Sequence, residues 1–250
     1  MRTTPPQLDW TYRRFQGFDL ETTGTDPQTA RIVTASAVQY GGGRPAAGRT
    51  WVSDLGGAEI PAGATAVHGY TTAACRATGR PAAVVVEEIT AELAAAVEEG
   101  RPLVAMNATY DFTVLDREAR RYGVTPLLDR VEGVVVLDPY VLDKQVRKFR
   151  RGGRTLTDLC RHYVVPLQRA HSSEADAYAA CALVLRMGRR FRSLSQMTLH
   201  QLHAAQVVWA REQNESLREY FARTPGKEEW AKDVRLEWPL LPFREAVVPR

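Results

Sequence analysis

Residues 13–20, RRFQGFDL, run directly into Glu21-Thr22-Thr23-Gly24. In a β-strand, residues two apart share a face. Asp19 and Glu21 therefore point one way, and Phe18 and Leu20 point the other. The apolar pair demands burial, so this strand is predicted to lie within a covered sheet. The two carboxylates repel each other and are costly to bury unpaired. A divalent cation between them removes that cost. The plain alternative, an acidic pair on an exposed edge strand, conflicts with Phe18 and Leu20.

The pattern along the rest of the chain predicts an α/β fold. Residues 32–40 (IVTASAVQY) read as a second strand ended by Gly41-Gly42-Gly43, and residues 49–52 as a short third. Early strands joined by glycine-rich connectors predict an antiparallel meander. The period then changes. Residues 81–98 place Val85, Ile89, Leu93, Ala96 and Val97 at helical spacing, and Gly100 stops them. Residues 103–106 read as a strand, 111–122 as a helix ended by Gly123, and 134–137 as a buried strand closed by Asp138-Pro139. Asp138 is expected to serve that turn or the entry of the next helix. Helices follow over 156–163 and 174–190. Strands first, then alternation of helix and strand, predict a mixed sheet with helices on both faces.

After Arg192 the strand signals stop. Leu199, Leu202, Gln206 and Trp209 predict another helix, with residues 196–199 as its start, and residues 238–243 (WPLLPF) predict an extended apolar strap. The expected organisation is an N-terminal tail over 1–12, a main domain over 13–192, and a mostly helical C-terminal extension over 193–250 packed on that domain. The default role of Trp209, Trp230 and Trp238 is packing of this extension.

Composition narrows the class. The chain has 250 residues and is 44% hydrophobic, enough for one sizeable core. No apolar run approaches the ~20 residues of a membrane span, and residues 1–12 lack the apolar core of a signal peptide. A cytoplasmic location and no membrane partner are expected. Cys75, Cys160 and Cys181 form no CxxC, which favours reduced thiols over a disulfide framework or a zinc site. The formal charge is only +4, but it is unevenly spread. Lys144, Arg147, Lys148, Arg150, Arg151 and Arg154 follow one another with no acid between, and Arg186, Arg189, Arg190 and Arg192 come later. Beside an acidic pocket such a run suits a polyanion. Alone it reads as a solvated face.

Two other segments carry chemistry: Asn107-Ala108-Thr109-Tyr110-Asp111-Phe112 and His171-Ser172-Ser173-Glu174-Ala175-Asp176. Asp111 is expected to start its helix, and Asp176 to form an approximate capping pair with Ser173. His171 and Asp176 would sit roughly 140° apart on one helix. His171 is therefore expected in the preceding loop, free to fold back toward the carboxylates. Each residue taken singly has an ordinary role as helix-end charge, cap or surface histidine. Their joint occurrence with Asp19 and Glu21, each delivered by an apolar strand or helix, points to a metal-dependent phosphodiester chemistry. His200 and His203 are three apart on a helix without an acidic or cysteine partner, so they read as core or surface histidines.

Asp-x-Glu-Thr-x-Gly, Asn-x-x-x-Asp-Phe and His-x-x-x-x-Asp, in this order, resemble the three motifs of the DEDDh 3′–5′ exonucleases. The pattern is similar to that of the proofreading epsilon subunit of bacterial DNA polymerase III and epsilon-like exonucleases, and it spans about residues 13–192. The resemblance implies a ribonuclease H-like fold. It implies that Asp19, Glu21, Asp111 and Asp176 bind two Mg²⁺, with Mn²⁺ able to substitute, and that His171 is the general base. It implies a nucleotide pocket lined by Leu20, Thr22, Asn107 and Phe112, with His68 of Val67-His68-Gly69-Tyr70-Thr71 near the terminal nucleotide. The Thr23 hydroxyl is a further candidate for a sugar or phosphate. Many epsilon-like members carry His where Met106 stands. The implied substrate is nucleic acid with a free 3′ end, single-stranded or frayed DNA first, cut to nucleoside 5′-monophosphates. Exoribonuclease activity stays open, as does a catalytically silent nucleic-acid-binding or polymerase-accessory role. Replication or repair proteins are the implied partners.

Overall fold

The computed structural model describes residues 9–167 and 171–243. Its centre is a five-stranded sheet in the order β3-β2-β1-β4-β5. β1 (Arg14–Thr22), β2 (Ile32–Gly41) and β3 (Ala47–Val52) form the antiparallel meander. After β3 come α1 (Ala62–His68), α2 (Thr72–Thr78) and α3 (Ala82–Glu98). β4 (Leu103–Val104) then pairs parallel to β1, and α4 (Ala108–Tyr122) and α5 (Leu127–Arg130) lead to β5 (Val136–Leu137), parallel to β4. The chain continues through α6 (Pro139–Val146), α7 (Leu156–Tyr163) and α8 (Ser173–Arg190). The extension holds α9 (Arg192–Ser195), α10 (Leu199–Arg223) and α11 (Trp230–Asp233).

Both faces of the sheet are covered, as the alternation in β1 requires. Phe18 and Leu20 join Val85, Ile89, Leu93 and Leu115 in a core under α3 and α4. Phe15 on the opposite face joins Leu159, Leu183 and Val184 under α7 and α8. Asp19 and Glu21 share this second face, toward the N-terminus of α8. Gly17 makes the close approach there: a Cβ at Gly17 would lie 2.7 Å from Cys181 Sγ and 2.8 Å from the Ala177 carbonyl. Only glycine lets α8 sit this near β1.

Three local expectations change. β4 spans two residues rather than four, because the chain turns at Asn107, whose φ is 59°. α4 begins at Ala108, so Asp111 lies one turn inside it rather than at its start. The Asp138 carboxylate supplies the missing partners at that turn, accepting from Asn107 N at 3.1 Å and Ala108 N at 3.0 Å. It also caps α6 by accepting from Tyr140 N at 2.8 Å. Ser173 is not a cap for Asp176. Its hydroxyl bonds Ser36 Oγ at 2.8 Å and Thr34 Oγ1 at 3.2 Å, pinning the start of α8 to β2.

The extension closes the β5 edge of the sheet. α10 opens on a capping box between Thr198 and Gln201. Its buried Gln206 donates to Val136 O at 3.0 Å and accepts from Asp138 N at 2.8 Å, completing backbone groups that an edge strand leaves open. His203 is similarly structural, accepting from Val136 N at 3.1 Å. The strap returns to the main domain. Trp238 is buried and donates to Asp138 at 3.3 Å, and Arg117 on α4 donates to Leu241 O and Pro242 O at 2.9 and 3.0 Å. Within the expected tail, Trp10 and Thr11 are buried against the main domain, and Trp10 donates to Leu194 O at 3.2 Å. Residues 1–8 of the expected tail lie outside the described residues. The three cysteines are buried and unpaired. Among the described residues, no helix is long and apolar enough to cross a membrane.

Candidate active site

β1 and α8 bring Asp19, Glu21 and Asp176 together, with one carboxylate oxygen of each lying within 4.8 Å of the others. Glu21 and Asp176 are only 8% and 9% exposed. Asp111 approaches from α4, where its Oδ1 accepts from Leu20 N at 3.0 Å. All four acidic residues read from the sequence thus converge on one end of β1, although they arise from three segments.

Electrostatics marks the cluster as incomplete without positive charge. Burial pushes Asp19 well above the ordinary carboxylate range, and the neighbouring charges of Asp111, Asp176 and Glu21 push it further. Burial and then Asp176 raise Glu21 to about 7. Burial likewise raises Asp111, against the N–H of Leu20, and Asp176, against the N–H of His171. Asp176 Oδ2 accepts that N–H at 3.1 Å, while its Oδ1 is buried with no partner. A buried carboxylate oxygen without a donor, on a residue whose carboxylate clusters with Asp19 and Glu21, fits the donor set of a hard divalent cation. The residues present suit Mg²⁺ or Mn²⁺, which take oxygen ligands.

His171 lies at the turn before α8, with a φ of 66° and an exposed side chain. It is close enough to His68 for its charge to lower His68, whose main perturbation is burial. The His68 ring is held by Tyr70 N, which donates to Nδ1 at 3.1 Å. Tyr70 in turn stands near Glu21, whose charge helps raise its hydroxyl after burial. The 67–71 segment therefore borders the cluster beside His171.

The other pocket candidates divide. Asn107 is exposed on the turn before α4. Thr22 donates to Gly24 O at 2.9 Å and bonds the Tyr110 hydroxyl. Thr23 is occupied structurally, its hydroxyl accepting from Arg31 N at 2.9 Å across the β1–β2 turn. Leu20 is buried, and Phe112 packs edge-on against Phe18 with ring centres 5.9 Å apart. Phe112 is 3% exposed, so it supports the floor of the site instead of opening onto it. Tyr70 and Tyr110 are neighbours that the motifs do not single out. Their only sequence signal is adjacency to His68 and Asp111.

A family model described as an exonuclease matches residues 17–184, the span that holds all of these groups. The chain belongs to this exonuclease family. The motif residues Asp19, Glu21, Asp111, His171 and Asp176 all lie within the matched span. Among solved structures, the chain resembles the exonuclease I of Methylocaldum szegediense at 18% identity and a TM-score of 0.61, covering 84% of this chain and 46% of that one. It resembles Escherichia coli exonuclease I in complex with a dT13 oligonucleotide at 19% identity and a TM-score of 0.54, covering 72% and 43%. The chain spans less than half the length of these exonuclease I chains, and the likeness carries the fold. No curated protein matches the chain. The likeness to the epsilon branch rests on the three motifs alone.

Proposed function

We propose that the chain is a divalent-metal-dependent 3′–5′ exonuclease that releases nucleoside 5′-monophosphates from single-stranded or frayed DNA. The observation that carries this reading is the trio Asp19, Glu21 and Asp176, with one oxygen of each within 4.8 Å of the others, beside the buried and unpartnered Asp176 Oδ1. Asp19, Glu21 and Asp176 would hold one cation, and Asp19 with Asp111 a second. When bound, two such cations supply an acidified water and neutralise charge on the leaving oxygen.

The chain's own groups do the rest. Asp111 fixes the end of β1 through Leu20 N, so Asp19 and Glu21 keep their spacing. His171, tethered by its backbone to Asp176 with its imidazole in solvent, takes the proton from the attacking water. Asn107, Thr22, Tyr110 and His68 ring the cluster and orient the terminal sugar and base. A site that must grip an unstacked terminal nucleotide favours single-stranded ends. A strand-bound neighbour, the exonuclease I–dT13 complex, supports single-stranded DNA as the substrate class. The motif span of residues 17–184 supports a main domain over 13–192 with an extension that braces it.

The test uses purified protein with end-labelled single- and double-stranded DNA and RNA, in Mg²⁺ or EDTA. Release of mononucleotide from the 3′ end of single-stranded DNA, only with metal, is the expected result. Release from the 5′ end, or equal activity in EDTA, would overturn the reading.

A further inference from the structure

The basic run of residues 144–154 divides into two kinds of side chain. Asp143 is fully buried, and its carboxylate accepts from Arg150 Nε at 3.2 Å, Arg154 Nε at 2.8 Å and the Tyr163 hydroxyl at 2.7 Å. The same two arginines lace the loop between α6 and α7: Arg150 donates to Gly153 O at 2.7 Å, and Arg154 to Arg147 O at 2.9 Å. Their charge is spent on holding the loop. What this frame presents outward is Lys148, Phe149 and Arg151, all exposed, with Phe149 91% exposed. A large apolar ring left in water on a braced loop, between two exposed cations, has no packing role among the described residues.

The later arginines join this tip. Arg147 and Arg190 both lie over the Phe191 ring, at 5.9 and 5.6 Å. After burial, the charges of Arg150, Arg147 and Arg190 lower His162 between them, with Asp143 opposing. Two basic runs some forty residues apart in sequence therefore form one surface. That surface lies along α8 from the carboxylate cluster: Asp176 and Arg190 sit on this one helix, about 21 Å apart at ~1.5 Å per residue. Asp158, the acid beside the loop, is used by Thr155, whose N–H and hydroxyl it accepts at 3.1 and 2.7 Å.

We propose that Lys148, Phe149 and Arg151, continued by Arg147 and Arg190, form a binding surface for the single strand behind the 3′-terminal nucleotide, with Phe149 stacking on a base and the cations on phosphates. The proposal rests on the reading that the carboxylate cluster receives the 3′ end. Cations that track phosphates, interleaved with an aromatic face, are the usual means of holding single strands without sequence preference. Separating this surface from the cluster makes binding depend on strand length while leaving the chemistry on a minimal substrate untouched.

The test compares wild type, Lys148→Ala/Arg151→Ala and Phe149→Ala in two measurements. One is binding of a fluorescein-labelled oligodeoxythymidylate of about 20 nucleotides in EDTA, over about 50–200 mM salt. The other is Mg²⁺-dependent hydrolysis of the p-nitrophenyl ester of thymidine 5′-monophosphate, which reaches only the reaction site. The double variant is expected to bind the oligonucleotide more weakly. Its salt slope is expected to be shallower by about 1.4, at ~0.7 for each single-strand phosphate that a removed cation had neutralised. Phe149→Ala is expected to lose roughly 5- to 150-fold in affinity. Both are expected to hydrolyse the ester at the wild-type rate. Wild-type affinity in the double variant overturns the surface, and wild-type affinity in Phe149→Ala overturns the stacking. An equal loss on the ester overturns the separation from the reaction site. If wild type leaves the ester intact, the exonuclease reading fails, while the EDTA binding series still decides the surface.

Discussion

The backbone N–H of Leu20 donates to Asp111 Oδ1 at 3.0 Å, so the strand that carries two carboxylates is fastened by a third. This bond makes Asp111 both a candidate ligand and a brace, and the two duties separate in a variant. Asp111→Asn keeps an oxygen for Leu20 and removes a buried charge that repels Asp19. In EDTA the variant is expected to be more stable than wild type, measured by urea unfolding. Added Mg²⁺ should stabilise wild type more than the variant, which keeps only the Asp19, Glu21 and Asp176 site.

The raised carboxylates give the metal-free protein a definite pH response. Glu21 moves from its ordinary 4.5 to about 7, and Asp19, Asp111 and Asp176 move in the same direction. The folded state therefore holds protons that the unfolded chain releases. The stability contributed is fully present below about pH 4.5 and is lost as pH climbs through about 7, by at most about 3 kcal/mol from Glu21. Unfolding midpoints in EDTA should fall between pH 5 and pH 8. Divalent-cation affinity should rise over the same interval, because the ligands must be deprotonated.

Asp138 is the joint between the extension and the site. It accepts from Asn107, Ala108 and Tyr140 backbone N–H groups and from the Trp238 indole. Asp138→Ala strands these donors in a buried turn, at an expected cost of about 3 kcal/mol or more. Because the turn aims Asn107 and the start of α4, nuclease activity should fall as well. Asp138→Asn, which retains an acceptor oxygen, should lie between the two in a urea titration.

Much of this arrangement is legible in the chain. The alternation Phe18-Asp19-Leu20-Glu21 specifies its own two-sided environment, and the helix over 82–98 follows from a clean apolar period. The convergence of Asp111 and Asp176 on β1 is legible only through motif order, since neither helix pattern says where its first turn points. Ser173 misleads because a serine three residues before an acid has the form of a cap. Its hydroxyl instead meets Thr34 and Ser36 on β2, a long-range contact with no local trace. Six basic residues over 144–154 look equivalent for the same reason. Only the fold buries Asp143 beneath them and separates Arg150 and Arg154 from the exposed Lys148 and Arg151.

The account stands most directly on one measurement: the rate at which a 3′-labelled single strand of DNA loses its terminal nucleotide in Mg²⁺, for wild type, Asp19→Ala and His171→Ala. Both variants should remain folded by circular dichroism. Asp19→Ala should show no release above the EDTA blank, and His171→Ala should lose about 10²- to 10⁴-fold in kcat. Near-wild-type release by folded Asp19→Ala would contradict the account.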